Sequence, residues 1–240
     1  MTLRDYLAAS RAPRYSLLLA LALLVAYEAA ALVVAPASGV RNGADVLLKW
    51  LFVWLGGGRG LLVFNLLLVG VGAVLVVRDW RQPGKTVVPR VFGAMLAESA
   101  VLALLVGLVV GRATQALLER LAIGQMAEFP VGTQLMLSLG AGIYEELLFR
   151  VLLVGGLAWA FRRLLAWTPR TAGVAACVAG ALIFSAFHYV GAYGDPWQLG
   201  SFTFRFLAGL VFSALYLTRG LGITAWTHAL YDVMLLALRS

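Results

Sequence analysis

The sequence predicts an all-α, polytopic membrane protein with about seven transmembrane helices in one bundle. Three observations carry this. Apolar residues make up 62% of the 240-residue chain and charged residues only 12%, about half the charged share of a soluble domain. Mean hydropathy is +0.92. The apolar residues gather in stretches of roughly 20, the length that crosses a bilayer. In so apolar a chain the net charge of +8 points to basic cytoplasmic loops and away from nucleic-acid binding.

The stretches are 17–35, 46–77, 91–111, 131–161, 172–190, 201–218 and 221–238. Residues 1–37 have the basic start, apolar core and Ala35-Pro36-Ala37 of a secretory signal. Their apolar part is long, however, and serves as an uncleaved first span. The second stretch is too long for one simple span and is interrupted by Gly56-Gly57-Gly58-Arg59-Gly60. Residues 46–55 are therefore read as a short interfacial segment before a span at 60–77. The fourth stretch is also long, and its charged middle suggests a break. No repeat of 20–50 residues stands out, and no flexible linker divides the chain, so one membrane domain is expected. Cys177 is the single cysteine. It has no internal disulfide partner and reads as inert packing.

Basic residues orient the bundle. Arg4, Arg11, Arg14, Arg78, Arg81, Lys85, Arg90, Arg162, Arg163, Arg170 and Arg219 fall on one side; Arg41, Arg112, Arg120 and Arg239 fall on the other. This alternation places the N-terminus in the cytoplasm and the C-terminus outside.

An ionisable side chain at mid-membrane costs about 2.5–3.5 kcal/mol on insertion scales. The spans nevertheless hold Glu28, Glu98, Glu145, Glu146, Arg150, Arg205 and Asp232, and both histidines of the chain, His188 and His228. Glu28 and Glu98 read as bundle-facing or snorkelling, and Arg205 as snorkelling from a span end. Trp and Tyr residues read mostly as interfacial anchors. Tyr144, Tyr189 and Tyr231, each beside a charged cluster, are candidates to line a cavity. Gly140, Gly142, Gly155, Gly156 and Gly209 read as sites of close helix packing.

The remaining charges form three clusters: Glu145-Glu146 with Arg150, Phe184 with His188, and His228 with Asp232. Residues four apart share a helix face, while neighbours point about 100° apart. Glu146 can therefore pair with Arg150 as structural support, which leaves Glu145 facing elsewhere. His228 can meet Asp232, and the Phe184 ring can restrict His188. A buried carboxylate suits a general base, and histidine can share its water or donate to an oxyanion. Together they could hydrolyse an amide inside a membrane cavity. The motifs G-x-S-x-G, H-E-x-x-H, the P-loop and G-x-G-x-x-G are all absent.

The order E-E-x-x-x-R, F-x-x-x-H, H-x-x-x-N/D on successive late helices resembles the CPBP intramembrane proteases, the CAAX protease and bacteriocin-processing (Abi) family. The resemblance covers about residues 131–235. It implies a catalytic helical core at 131–240 preceded by N-terminal transmembrane helices at 1–130. Glu145 resembles the water-activating base, His188 its partner on the same water, and His228 with Asp232 the oxyanion-stabilising pair. Glu146 and Arg150 resemble structural support. The best-understood members carry Asn where this chain has Asp232. An amide can donate to an oxyanion and an ionised carboxylate cannot, so Asp232 is expected to hold His228 in its charged or correctly oriented form, or to stay protonated.

The resemblance favours catalysis without metal or other cofactor. Zinc remains open, with Glu145, His188, His228 and Asp232 as acceptable ligand types. It also implies a membrane-anchored protein or peptide substrate, cut near a C-terminal tail or during peptide maturation. Small size, a single domain and an Ala/Gly/Val/Leu/Arg-rich composition suggest a bacterial protein of the cytoplasmic membrane, and the resemblance extends to the sorting-type members called myxosortases. A non-proteolytic immunity or scaffold protein and a proton-coupled transporter are the alternatives.

Overall fold

A computed structural model describes residues 2–118, 129–191 and 194–237. Their regular structure is all helical, with no strand among them. The protein is an all-α integral membrane protein. Arg120 and Arg239 of the basic count lie outside the described residues.

Helix α1 (Leu3–Arg11) starts at a capping box. Thr2 Oγ1 accepts the Asp5 N–H, and the Asp5 carboxylate accepts the Thr2 N–H. Helix α2 (Pro13–Ser38) opens on a proline at its first position, where no backbone donor is missed, and closes on Gly39 at φ 67°. Asn42 caps α3 (Gly43–Gly56) through its side chain. After a 3-10 turn (Gly57–Arg59) comes α4 (Gly60–Trp80). Helix α5 is Pro89–Leu118. Then α6 (Val131–Gly140), a π-helical stretch (Ala141–Val154) and α7 (Gly155–Leu164) follow one another directly. Helices α8 (Pro169–Phe187), α9 (Leu199–Arg219) and α10 (Leu221–Ala237) complete the described chain.

Among the described residues five helical stretches are long and apolar enough to cross a membrane: Pro13–Ser38, Gly43–Trp80, Pro89–Thr114, Pro169–Phe187 and Leu199–Arg219. The second is not a straight rod. The rings of Phe52 and Phe64 meet at 5.3 Å, although twelve residues of continuous helix would set them about 18 Å apart. The chain reverses at the glycine cluster, with Gly60 so close that a Cβ there would lie 1.9 Å from the Phe52 carbonyl oxygen. The expected break at 131–161 takes a different form. The helix runs on, but its charged middle is wound as a π-helix, a form found chiefly at functional sites. The expected span 172–190 ends earlier, at Phe187.

Helix α10 lies against α2, α5, α6, α9 and the π stretch. Small residues allow that approach. A Cβ at Gly142 would sit 2.6 Å from the Ala225 oxygen and the Ala229 Cβ, and one at Gly209 3.1 Å from Ala181. The same reading fails at Gly156, where nothing lies within 4 Å.

Two ion pairs tie the N-terminal face together. Buried Arg14 meets Asp79 at 2.8 Å. Arg219 grips Glu98 with two 2.7 Å hydrogen bonds and reaches Ser10 of α1 at 2.9 Å. Glu98 is thus paired and does not snorkel. The anchor reading of tyrosine also needs correcting, since Tyr15, Tyr27, Tyr144 and Tyr231 are buried. Their polar hydroxyls can serve partners inside the bundle.

Candidate active site

The π stretch, α8 and α10 bring the three sequence clusters together. Glu146 is fully buried, and its carboxylate serves two partners. One oxygen lies 3.2 Å from Arg150 Nε in an i, i+4 pair, and the other accepts from His228 Nδ1 at 2.7 Å. The second contact crosses from the π stretch to α10 and was not foreseen. Arg150 has no hydrogen-bond acceptor among the described residues, its contact with Glu146 being a charge pair without hydrogen-bond alignment. Its guanidinium instead lies 4.3 Å from the Phe184 ring centre and 5.6 Å from that of Phe212, a cation–π arrangement strengthened by the dry surroundings.

Glu145, one residue earlier, turns elsewhere and is only partly covered. Its Oε1 accepts a 2.9 Å hydrogen bond from Asn42 Nδ2. His188 and His228 are the leading charges acting on its carboxylate.

His188 is the residue that ends α8. Its Nδ1 lies 2.9 Å from the Phe184 carbonyl oxygen. A carbonyl can only accept, so Nδ1 carries a proton, and a neutral ring therefore presents its lone pair at Nε2. The Phe184 ring packs edge-on against the imidazole at 4.9 Å. Beyond it, the Asp195 N–H donates to the His188 carbonyl at 2.9 Å. Arg205 forms an ion pair with Asp195 and a 2.9 Å bond to Ser201. Arg205 therefore braces the loop after His188 and does not snorkel.

His228 is buried and stacked on Phe212, with ring centres 4.4 Å apart and planes 20° apart. The same logic fixes its Nδ1 as the donor to Glu146. Its Nε2 lies 3.7 Å from Asp232 Oδ2, beyond hydrogen-bond range. Glu146 makes the hydrogen bond that orients His228, and Asp232 is an ion-pair neighbour across from the other ring nitrogen, partly exposed.

A second polar cluster flanks Glu145. Tyr144 Oη donates to Glu28 at 2.6 Å, Lys49 and Arg41 also bind Glu28, and both reach Asp45 as well. Glu28 is therefore a buttress between α2, α3 and the π stretch. Burial opposes the charge of Arg41, but its hydrogen bonds to Asp45 and Glu28 outweigh this and hold its pKa above the usual arginine value. Of the remaining tyrosines, Tyr189 packs beside Phe202 and Arg205, and Tyr231 packs on Phe212.

Asn42 and Phe212 escaped the sequence reading. Asn42 carries a local signal, an Asn before Gly-Ala-Asp that marks a helix start. Nothing local marks Phe212 among the aromatics of α9. The four possible zinc ligands do not fit a metal in this arrangement. Among the described residues no three His, Cys, Asp or Glu side chains are grouped so as to hold one metal ion.

Fold and site together define a helical membrane protein with a carboxylate and two oriented imidazoles around one intramembrane locus. Residues 127–234 match the family model described as Rce1-like: Type II CAAX prenyl endopeptidase Rce1-like. Over that stretch the chain is similar to the CAAX-type intramembrane proteases, which are peptide hydrolases, and the matched residues include all three clusters of the site. No curated protein and no solved structure matches the chain.

Proposed function

We propose that the protein is a glutamate-dependent intramembrane endopeptidase in which Glu145 and His188 activate a water molecule. The supporting observation is the division of labour between two adjacent glutamates. Glu146 is committed to Arg150 and His228, while Glu145 is partly open and is held by Asn42 on the element packed against α8 and α10. In this reading Glu145 takes a proton from the water as its oxygen attacks the scissile carbonyl carbon. His188 Nε2 orients the same water. The developing oxyanion receives a hydrogen bond from His228 Nε2, whose imidazolium charge is balanced by Glu146 and Asp232. Glu145 then returns the proton to the leaving nitrogen as the C–N bond breaks.

The substrate in this reading is a membrane-anchored protein or peptide cut near a C-terminal tail or during maturation, in a bacterial cytoplasmic membrane. Helix α9 runs from the loop after His188 down to Arg219, which is tied to Glu98. Helix α2 runs from Arg14 to the connection that holds Asn42. Both site residues thus lie toward the end of the bundle opposite its N-terminal face. With the N-terminus cytoplasmic, that end faces outward and suits the tail of an exported protein. Mass spectrometry of the host membrane proteome, with wild-type and Glu145→Gln enzyme, tests the proposal. Tails that persist only with the variant are expected, and identical proteomes would sink the idea.

The orientation has its own check. Reporter fusions at residues 84, 120, 166 and 196 are expected to read in, out, in, out. Matching signals at 84 and 120 would remove the seven-span topology.

Asp232→Asn is expected to keep cleavage within about tenfold, because no His228 hydrogen bond is lost and an amide can donate to an oxyanion. Asp232→Leu is expected to lose more, since it strips the polar group opposite Nε2. Equal inactivity of two folded variants would show that the carboxylate itself is required.

A further inference from the structure

We infer that Asn42 is a positioning residue for Glu145, holding the carboxylate at the angle from which it takes a proton. The inference rests on the reading of Glu145 as the base, but its observations are separate. The Asn42 amide is used at both ends. Its Oδ1 accepts from the Ala44 N–H at 2.9 Å and from the Asp45 N–H at 3.4 Å. Those are the orphan donors at the start of α3. With Oδ1 committed to the cap, Nδ2 is the atom that faces Glu145 Oε1 at 2.9 Å. The helix start thus fixes which end of the amide meets the carboxylate. An amide that could flip would offer an acceptor to an anion half of the time.

The backbone around Asn42 is held as firmly as its side chain. Its N–H donates to Tyr27 Oη at 3.4 Å, and Tyr27 Oη itself donates to Asp45 at 2.8 Å. Asn42 is buried. Gly140, just before the π stretch, permits the approach: a Cβ there would lie 2.6 Å from the Tyr27 ring and 2.8 Å from the Asn42 Cβ. The corner between α2 and α3 is therefore locked against the element that carries Glu145. A hydrogen bond between a buried amide and a carboxylate is charge-assisted and directional. It leaves the second carboxylate oxygen to meet water in one orientation.

Capping and positioning can be separated, because Asn, Asp and Ser cap helices about equally well. Asn42→Asp keeps the cap but turns an oxygen toward Glu145. Asn42→Ser keeps the cap but is too short to reach it. Full-length variants are to be reconstituted in lipid nanodiscs with the tail-bearing membrane protein that the proteome comparison identifies. For both we expect unchanged KM and a kcat about 10- to 100-fold lower, the scale of one hydrogen bond to a charged group, with melting near the wild type for Asn42→Ser and lowered for Asn42→Asp. Wild-type kcat in either folded variant would overturn the inference and leave Asn42 a cap only. Should Asn42→Asp fail to fold because two carboxylates face each other, Asn42→Ser decides alone. Glu145→Gln, assayed alongside, separates the two failures. Full activity there overturns the base reading and this inference with it. An inactive Glu145→Gln beside a fully active Asn42→Ser overturns the inference alone.

Discussion

Glu145→Gln is expected to abolish turnover, by at least about a thousandfold, within the range that a positioned general base contributes. It should leave the folded protein intact. Glutamine fills the same space, and its carbonyl oxygen still accepts the Asn42 Nδ2 hydrogen bond seen at 2.9 Å. What it lacks is a lone pair basic enough to take a proton from water. Thermal stability should be unchanged or slightly raised, as often happens when a charge kept for function is removed from an apolar setting. The check is a detergent melt beside a cleavage assay on the same preparation. A variant that melts normally and still cleaves at the wild-type rate would remove Glu145 from the chemistry.

Glu146→Gln should instead strike stability first. Glu146 and Arg150 are both almost wholly buried, and the guanidinium has no hydrogen-bond acceptor among the described residues, Glu146 being its one ion pair within 4 Å there. Removing the carboxylate leaves a buried, uncompensated cation, at a cost of about 3–5 kcal/mol. The melting temperature and the yield should fall together. Because Glu146 also holds His228 Nδ1 at 2.7 Å, activity should fall further than the loss of folded protein explains. The double variant Glu146→Gln/Arg150→Met separates these effects. It removes both charges, so most of the stability should return, as it commonly does when a buried pair is replaced as a unit. Cleavage should stay depressed, because His228 still lacks its carboxylate partner. If the double variant regains full activity along with its stability, the carboxylate at position 146 supports only the fold. If the single variant melts like the wild type, the buried pair carries no weight.

The different partners of Glu145 and Glu146 show how far reading along the chain reaches. The separation of Glu145 from Glu146 needed only the angular step of a helix and the one-turn spacing to Arg150. It survives the widening of that helix into a π form because the pair still meets at i, i+4. The membrane class, the helical stretches and the glycine interruption at 56–60 were legible for a similar reason: composition and short-range periodicity carry them. The bundle was harder to read where a charge was assumed to act alone. Glu28 and Glu98 show no local partner and read as bundle-facing or snorkelling, and Arg205 as snorkelling. In the structure Glu28 pairs with Lys49 of α3, Glu98 with Arg219 of α9 and Arg205 with Asp195 of the loop before its own helix, as a low-dielectric interior demands of its ions.

The sequence by itself determined that this is a helical membrane protein, which of its charges share a helix face, and the order of its E-E-x-x-x-R, F-x-x-x-H and H-x-x-x-D clusters. Only the tertiary structure decided which groups those charges meet across helices. Asn42 reaches Glu145 over 103 positions, and His228 reaches Glu146 over 82. Phe212 slides beneath His228 from a neighbouring helix. No period in the chain encodes such contacts. Helix periodicity fixes the direction in which a side chain leaves its own axis. The neighbour it finds there is set by packing register, and here by glycines at 140, 142 and 209 that let particular pairs of helices close to contact. The four-residue spacing of His228 and Asp232 placed the two on one face, yet the hydrogen bond went to Glu146. A carboxylate from the facing helix lay on the donor nitrogen, whereas the one on the same helix stood 3.7 Å from the other.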